Sequence, residues 1–141
     1  MQALVLAIGN TLRGDDGVAH HVADLLGARA GVDVRRVHQL TPELAEEMAG
    51  ARTIVFMDAD TAATEARMER VTAALRCSPV SHTMTPSEVI MLAEQLYSFR
   101  GVAYMCHVPA RDFAPHGELS EVAEAAVRSA EKLVTVMLAE G

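Results

Sequence analysis

Tryptophan is absent, and three phenylalanines with two tyrosines leave aromatics at 4% of the 141 residues. A core must therefore be built from Val, Leu, Ala and the eight methionines, which fill the space aromatic rings would take. Lysine occurs once, at Lys132, and the arginines are scattered; against 19 acidic residues the net charge is −7. With no basic cluster to displace counterions, nucleic-acid binding is excluded as the leading expectation, and an anionic membrane surface would be repelled. No apolar run approaches the roughly 18 residues that span a bilayer. The opening stretch Met1–Ile8 lacks a basic flank and runs into Gly9-Asn10, so it reads as a buried strand rather than an export signal. Cysteine is limited to Cys77 and Cys106, whose spacing is not that of a metal site; two free thiols in a reducing cytoplasm are expected. Repeats, low-complexity stretches and Ser/Gly/Pro-rich linkers are missing as well, which makes residues 1–141 a single domain.

What is present is globular in balance, half hydrophobic and 22% charged. Ala3–Ile8 is a continuous apolar run of the kind found in strands covered on both faces. From Gly17 the spacing of Val18, Val22, Leu25 and Leu26 becomes helical, giving strand–loop–helix. A short strand is expected over 32–37, and a helix capped by Thr41 with Pro42 at its first position, ending at Gly50. Thr53–Met57 is a second apolar run that closes on Asp58-Ala59-Asp60. A weak strand is expected over 68–72. Thr85-Pro86-Ser87-Glu88 is a capping box opening a helix with Val89, Leu92 and Leu96 on its buried stripe. A strand over 101–108 and a helix from Ser120, with Ala123, Val127, Ala130, Val134 and Met137 inward, complete the chain. The alternation predicts an α/β three-layer sandwich, a mainly parallel twisted sheet of about five strands flanked by helices. The loops after Ile8, Met57 and Met105 then share the carboxyl edge of the sheet, where ligands bind in such folds.

The first of these loops, residues 9–17, is not a dinucleotide-binding loop: Ala7, Leu12 and Thr11 stand where glycines would be needed. Its two acids, Asp15 and Asp16, would repel a pyrophosphate, whereas a helix entrance favours an ionised carboxylate. Either acid alone could be a helix cap; two together in a Gly-bracketed loop suit a metal. Asp58 closes a buried strand at the same edge, with Asp60 expected just outside it. Among the histidines, His82 precedes the capped helix, His20 and His21 lie beside the acidic pair, and His38, His107 and His116 sit at strand ends or in loops. Asp16, Asp58 and His82 would form a carboxylate–carboxylate–imidazole set suited to nickel, zinc or manganese. Nucleophilic catalysis has little support: there is no G-x-S-x-G elbow, and neighbours Cys106 and His107 on one strand face opposite ways.

The run Ile8-Gly9-Asn10-Thr11-Leu12-Arg13-Gly14-Asp15-Asp16-Gly17 resembles the opening motif of the nickel–iron hydrogenase maturation endopeptidases. The resemblance continues through Ile54-Val55-Phe56-Met57-Asp58-Ala59, Ser81-His82-Thr83-Met84-Thr85-Pro86 and Gly117-Glu118-Leu119-Ser120. It implies an enzyme that removes the C-terminal extension of the hydrogenase large-subunit precursor after nickel insertion. Asp16, Asp58 and His82 would then contact a nickel ion presented by that substrate, and another divalent metal could enter the site of the isolated protein. A cytoplasmic monomer is the accompanying expectation; the alternative is a non-catalytic nickel-sensing chaperone or checkpoint. The chain departs from the family at Ala19, where glycine is frequent, and at Gln39-Leu40-Thr41-Pro42, where many members have a Gly-rich turn.

Overall fold

The computed structural model describes residues 2–75, 83–115 and 118–140. Its first strand, β1 (Ala3–Ile8), is buried along its whole length, as a run without polar residues requires. A 3-10 turn, Gly14–Gly17, leads into α1 (Val18–Leu26), followed by β2 (Val32–Val37), α2 (Leu44–Ala49) and β3 (Thr53–Asp60). After β4 (Arg67–Val71) come α3 (Pro86–Tyr97), β5 (Val102–Pro109) and α4 (Glu121–Glu140). The sheet order is β2-β1-β3-β5-β4, parallel throughout except for β4, which runs antiparallel to β5 at the edge. No helix among the described residues is long and apolar enough to cross a membrane.

Strand alternation divides the core into two layers. Leu4, Leu6, Ile54 and Phe56 point to one face, where Met48 of α2 and Val89, Ile90 and Ala93 of α3 cover them. Val5, Ala7, Val55, Met57 and Cys106 point to the other, against Val18 and Val22 of α1 and Ala123, Ala130 and Val134 of α4. Burying a large aliphatic or aromatic side chain contributes roughly 1.5–3 kcal/mol, so this double layer is the main source of stability. The three-layer α/β sandwich expected from the sequence is therefore present.

Local departures have physical reasons. Leu40 must reach the core, and residues 41–43 then turn, the Leu44 and Ala45 amides donating to the Thr41 and Pro42 carbonyls. The second helix thus starts at Leu44, with Glu43 at the cap position, and Thr41 is not a side-chain cap. On α3 the buried stripe is Val89, Ile90 and Ala93; Leu92 packs at its margin and Leu96 is 65% exposed. Leu25 likewise stands half out of α1. The fifth strand runs on to Pro109, so Met105 lies inside it and not at a loop. Asp60 is the last residue of β3, where a position outside the strand was expected.

The capping box is formed as the sequence implies. The Glu88 amide donates to Thr85 Oγ1 at 3.2 Å, and the Thr85 amide donates to Glu88 Oε1 at 2.8 Å. Thr85→Ala should therefore cost about 1 kcal/mol and lower the melting temperature by about 2–4 °C in a calorimetric scan. An unchanged melt would show that the box does not hold α3.

Candidate functional site

The two acids singled out by the sequence meet at one cleft on the carboxyl edge of the sheet. Its volume is about 350 Å³, and Gly9, Asp16, His38, Asp58, Thr83 and Thr85 contribute to its walls. β1 and β3 are paired in parallel register, so the chain leaves both strands at the same end. That geometry brings together residues separated by most of a βαβαβ unit. A larger surface groove of about 690 Å³ between α1 and α4 is lined by neither acid.

Asp16 reaches the cleft through a tightly folded β1 exit. Gly9 has φ +140°, and a Cβ there would lie 1.8 Å from the Asp16 carbonyl oxygen. Only glycine lets the two backbone segments approach so closely. The Asn10 amide donates to Asp16 Oδ2 at 2.9 Å, while Asn10 Oδ1 accepts from the Leu12 amide at 2.9 Å. His20 is buried in α1, and its Nε2 donates to the Gly9 carbonyl at 2.9 Å, which fixes the tautomer with the proton on Nε2. Neither Asp15 nor Asp16 caps a helix with its side chain.

Asp15 faces away from the cleft and is fully buried. Burial works against its charge, but hydrogen bonds from the Ser120 hydroxyl and from the Asp112, Ser120 and Arg111 amides outweigh it. Its carboxyl stays below the usual range.

Asp58 lies on β3 with its side chain partly buried, and its Oδ1 accepts from the Ala59 amide at 2.8 Å. Desolvation pushes its pKa up to about 7, with the charges of Asp16 and Asp60 adding to the effect and the Ala59 amide opposing it. A carboxyl poised near neutrality beside a second acid in a cleft marks a candidate functional site.

Asp60 is occupied elsewhere. Its Oδ1 accepts from the Ala62 amide, and its Oδ2 lies 2.9 Å from His107 Nδ1, while His107 Nε2 reaches Glu69 Oε2 at 2.7 Å. The Ala62 amide and then the His107 ring hold Asp60 below the usual carboxylate range. This cluster ties β3, β5 and β4 together beside Asp58, and none of its three members is among the walls of the cleft. His21 lines the α1–α4 groove.

His38 is a wall residue that no sequence motif marks. β2 ends at Val37, in register with Ile8 of β1, so the residue that follows must emerge at the same edge as Gly9. That strand-end position was the available signal. His82, His116 and Cys77 lie outside the described residues; Thr83, next after His82 in sequence, lines the cleft. Cys106 is buried in the core, and burial pushes its thiol up to about 12, which removes it as a nucleophile.

Among the described residues no group of three His, Cys, Asp or Glu side chains is gathered to hold a metal ion. Asp16 and Asp58 nevertheless suit one as a partial set. They are hard oxygen donors, and the desolvation that disfavours the charged form of Asp58 would be offset by a cation.

This fold is shared with hydrogenase maturation endopeptidases of known structure. The hydrogenase maturating endopeptidase HybD from E. coli superposes with a TM-score of 0.81 at 21% identity, covering 99% of this chain and 93% of that one. The [NiFe] hydrogenase maturation protease HybD from Thermococcus kodakarensis gives a TM-score of 0.70 at 21% identity over 98% and 99% of the two chains. A hydrogenase 2 maturation peptidase from Thaumarchaeota archaeon SCGC_AB-539-E09 gives 0.69 at 23% identity over 98% of both. No protein-family model matches the chain, and no curated protein matches it in sequence.

Proposed function

We propose that the chain is an endopeptidase of hydrogenase maturation. It removes the C-terminal extension from a nickel–iron hydrogenase large-subunit precursor once nickel has been inserted. The observation that carries this reading is the convergence of Asp16 and Asp58 in one cleft, with Asp58 raised to about 7, on a fold shared with such endopeptidases. Nickel belongs here to the substrate: the precursor presents it, and Asp16, Asp58 and His82 recognise it. An incomplete donor set suits that task, because a complete one would hold a metal of its own.

The reaction adds water across one peptide bond, leaving a new carboxylate and a free amine. The ordered β1 exit keeps the Asp16 carboxylate fixed on one wall of the cleft. Asp58 exchanges its proton close to neutrality, so cation arrival and proton loss are coupled at this residue. The protein acts in the cytoplasm as a monomer on this reading.

The test is incubation of the purified protein with nickel-loaded and nickel-free large-subunit precursor, followed by a mobility shift. A shortened product with the loaded precursor alone is expected. Binding of the loaded precursor without cleavage would make the protein a nickel-sensing checkpoint instead.

A further inference from the structure

Asp15 and Asp16 are adjacent yet face opposite ways, and the partners of Asp15 all come from one distant segment. Its Oδ2 accepts from the Arg111 amide at 2.6 Å, the Asp112 amide at 3.0 Å and the Ser120 hydroxyl at 2.6 Å. Its Oδ1 accepts from the Ser120 amide at 2.7 Å, and the Asp15 amide donates back to the Asp112 carbonyl at 2.8 Å. Gly14, at φ +50°, leaves no room for a side chain: a Cβ would lie 2.6 Å from the Asp112 carbonyl oxygen. The β5–α4 connection is therefore packed flush against the turn that presents Asp16.

We propose that Asp15 is a positioning residue: it clasps the β5–α4 connection, with Ser120 as its principal partner, and thereby sets where Asp16 stands in the cleft. The inference rests on the endopeptidase reading for its effect on rate. On one side the Asn10 amide holds the Asp16 carboxylate; on the other the Asp15 clasp holds its backbone. Slackening the second support displaces Asp16, and displacements near 1 Å cost about 100-fold when reacting groups must be aligned.

Two substitutions and a rescue test this. Ser120→Ala deletes the hydroxyl that bonds both Asp15 Oδ2 and the Ala123 amide, whereas Ser120→Thr keeps a hydroxyl for both. Asp15→Asn must turn an amide NH2 toward one of the N–H donors. With nickel-loaded precursor, Asp15→Asn should lower kcat/KM about 10–100-fold, the range found when outer supports of a site are lost. Ser120→Ala should lower kcat/KM less, and Ser120→Thr should restore it. In NMR spectra of the free proteins, the Asn10 amide proton should shift upfield in the first two variants and return in the third, because it reports its bond to Asp16. Melts set a temperature at which every variant is folded. If the folded variants cut at the wild-type rate and the Asn10 signal does not move, the clasp is purely structural and the proposal is overturned. A wild-type protein that leaves the precursor uncut sinks the endopeptidase reading alone; the Asn10 signal then decides the clasp.

Discussion

Replacing Asp58 with asparagine is expected to abolish precursor processing and, at the same time, to make the protein harder to unfold at alkaline pH. The folded-state pKa of about 7 stands above the ordinary 3.8 because burial, then Asp16 and Asp60, disfavour the charged form. A carboxyl raised in this way favours the folded state while protonated. Its stabilising preference is intact below pH 4 and is lost as pH climbs through 7. A rise from 3.8 to about 7 corresponds to a ceiling of about 4 kcal/mol, lowered by the solvent contact Asp58 retains. Asparagine keeps the shape without a charge to desolvate, so Asp58→Asn should gain about 2 kcal/mol over wild type at pH 8 and almost nothing at pH 4. Urea melts at both pH values measure this. Equal melts at pH 8 would mean that the carboxyl is not desolvated. On the proposed reading, in which Asp58 contacts the substrate's nickel directly, processing should fall by more than about 100-fold. Asp16→Asn should share that loss with only a minor part of the stability gain, the part due to its repulsion of Asp58. A variant that cuts at the wild-type rate removes its residue from the site.

Gly9→Ala should be severely damaging. The added Cβ would sit 1.8 Å from the Asp16 carbonyl oxygen, on a backbone at φ +140° that L-residues rarely adopt. The obstacle is the Asp16 backbone, so no side chain can swing away to relieve it. A cost above about 4 kcal/mol is expected, a large share of the roughly 5–15 kcal/mol that holds an ordinary domain together. Gly27→Ala is the matched control. It also has positive φ, +62°, with ψ −163°, a region nearly reserved for glycine, but meets no atom within 4 Å, so it should cost about 1–3 kcal/mol. Soluble yield, far-ultraviolet circular dichroism and thermal melts compare the two. A Gly9→Ala protein melting within a few degrees of wild type would refute the close approach at the β1 exit.

Sequence patterns revealed those parts of the molecule whose determinants are local. β1 and β3 were visible as apolar runs because both their faces are buried, and α3 was visible because Thr85-Pro86-Ser87-Glu88 is itself the cap. The meeting of Asp16 and Asp58 followed from parallel strands sharing an exit edge, and the structure places both in the same cleft. The third expected site residue, His82, lies outside the described residues. Features decided by distant contacts were not legible. Leu96 has helical spacing with Val89, yet the sheet meets α3 along Ile90 and Ala93. Thr41-Pro42 carries the signature of a helix start, but the burial of Leu40 sets the turn there. Asp15 looked like a twin of Asp16, because its partner Ser120 lies 105 residues further along the chain.

The outer strands carry a consequence for how a peptide can be held. β2 presents Asp33, Arg35 and Arg36, and β4 presents Arg67, Glu69 and Arg70, all exposed. Several are paired: Arg35 with Glu47, Arg36 with Asp24, and Arg67 with Glu69. Edges dressed in this way resist the addition of a foreign strand, because its incoming backbone would have to desolvate those charges. Among the described residues, adding an extended tail as a further edge strand is therefore disfavoured. On the proposed endopeptidase reading, selectivity then comes from the shape and charge of the cleft and from the folded body that delivers the tail. Unstructured segments of unrelated proteins meet charged side chains at both described edges of the sheet.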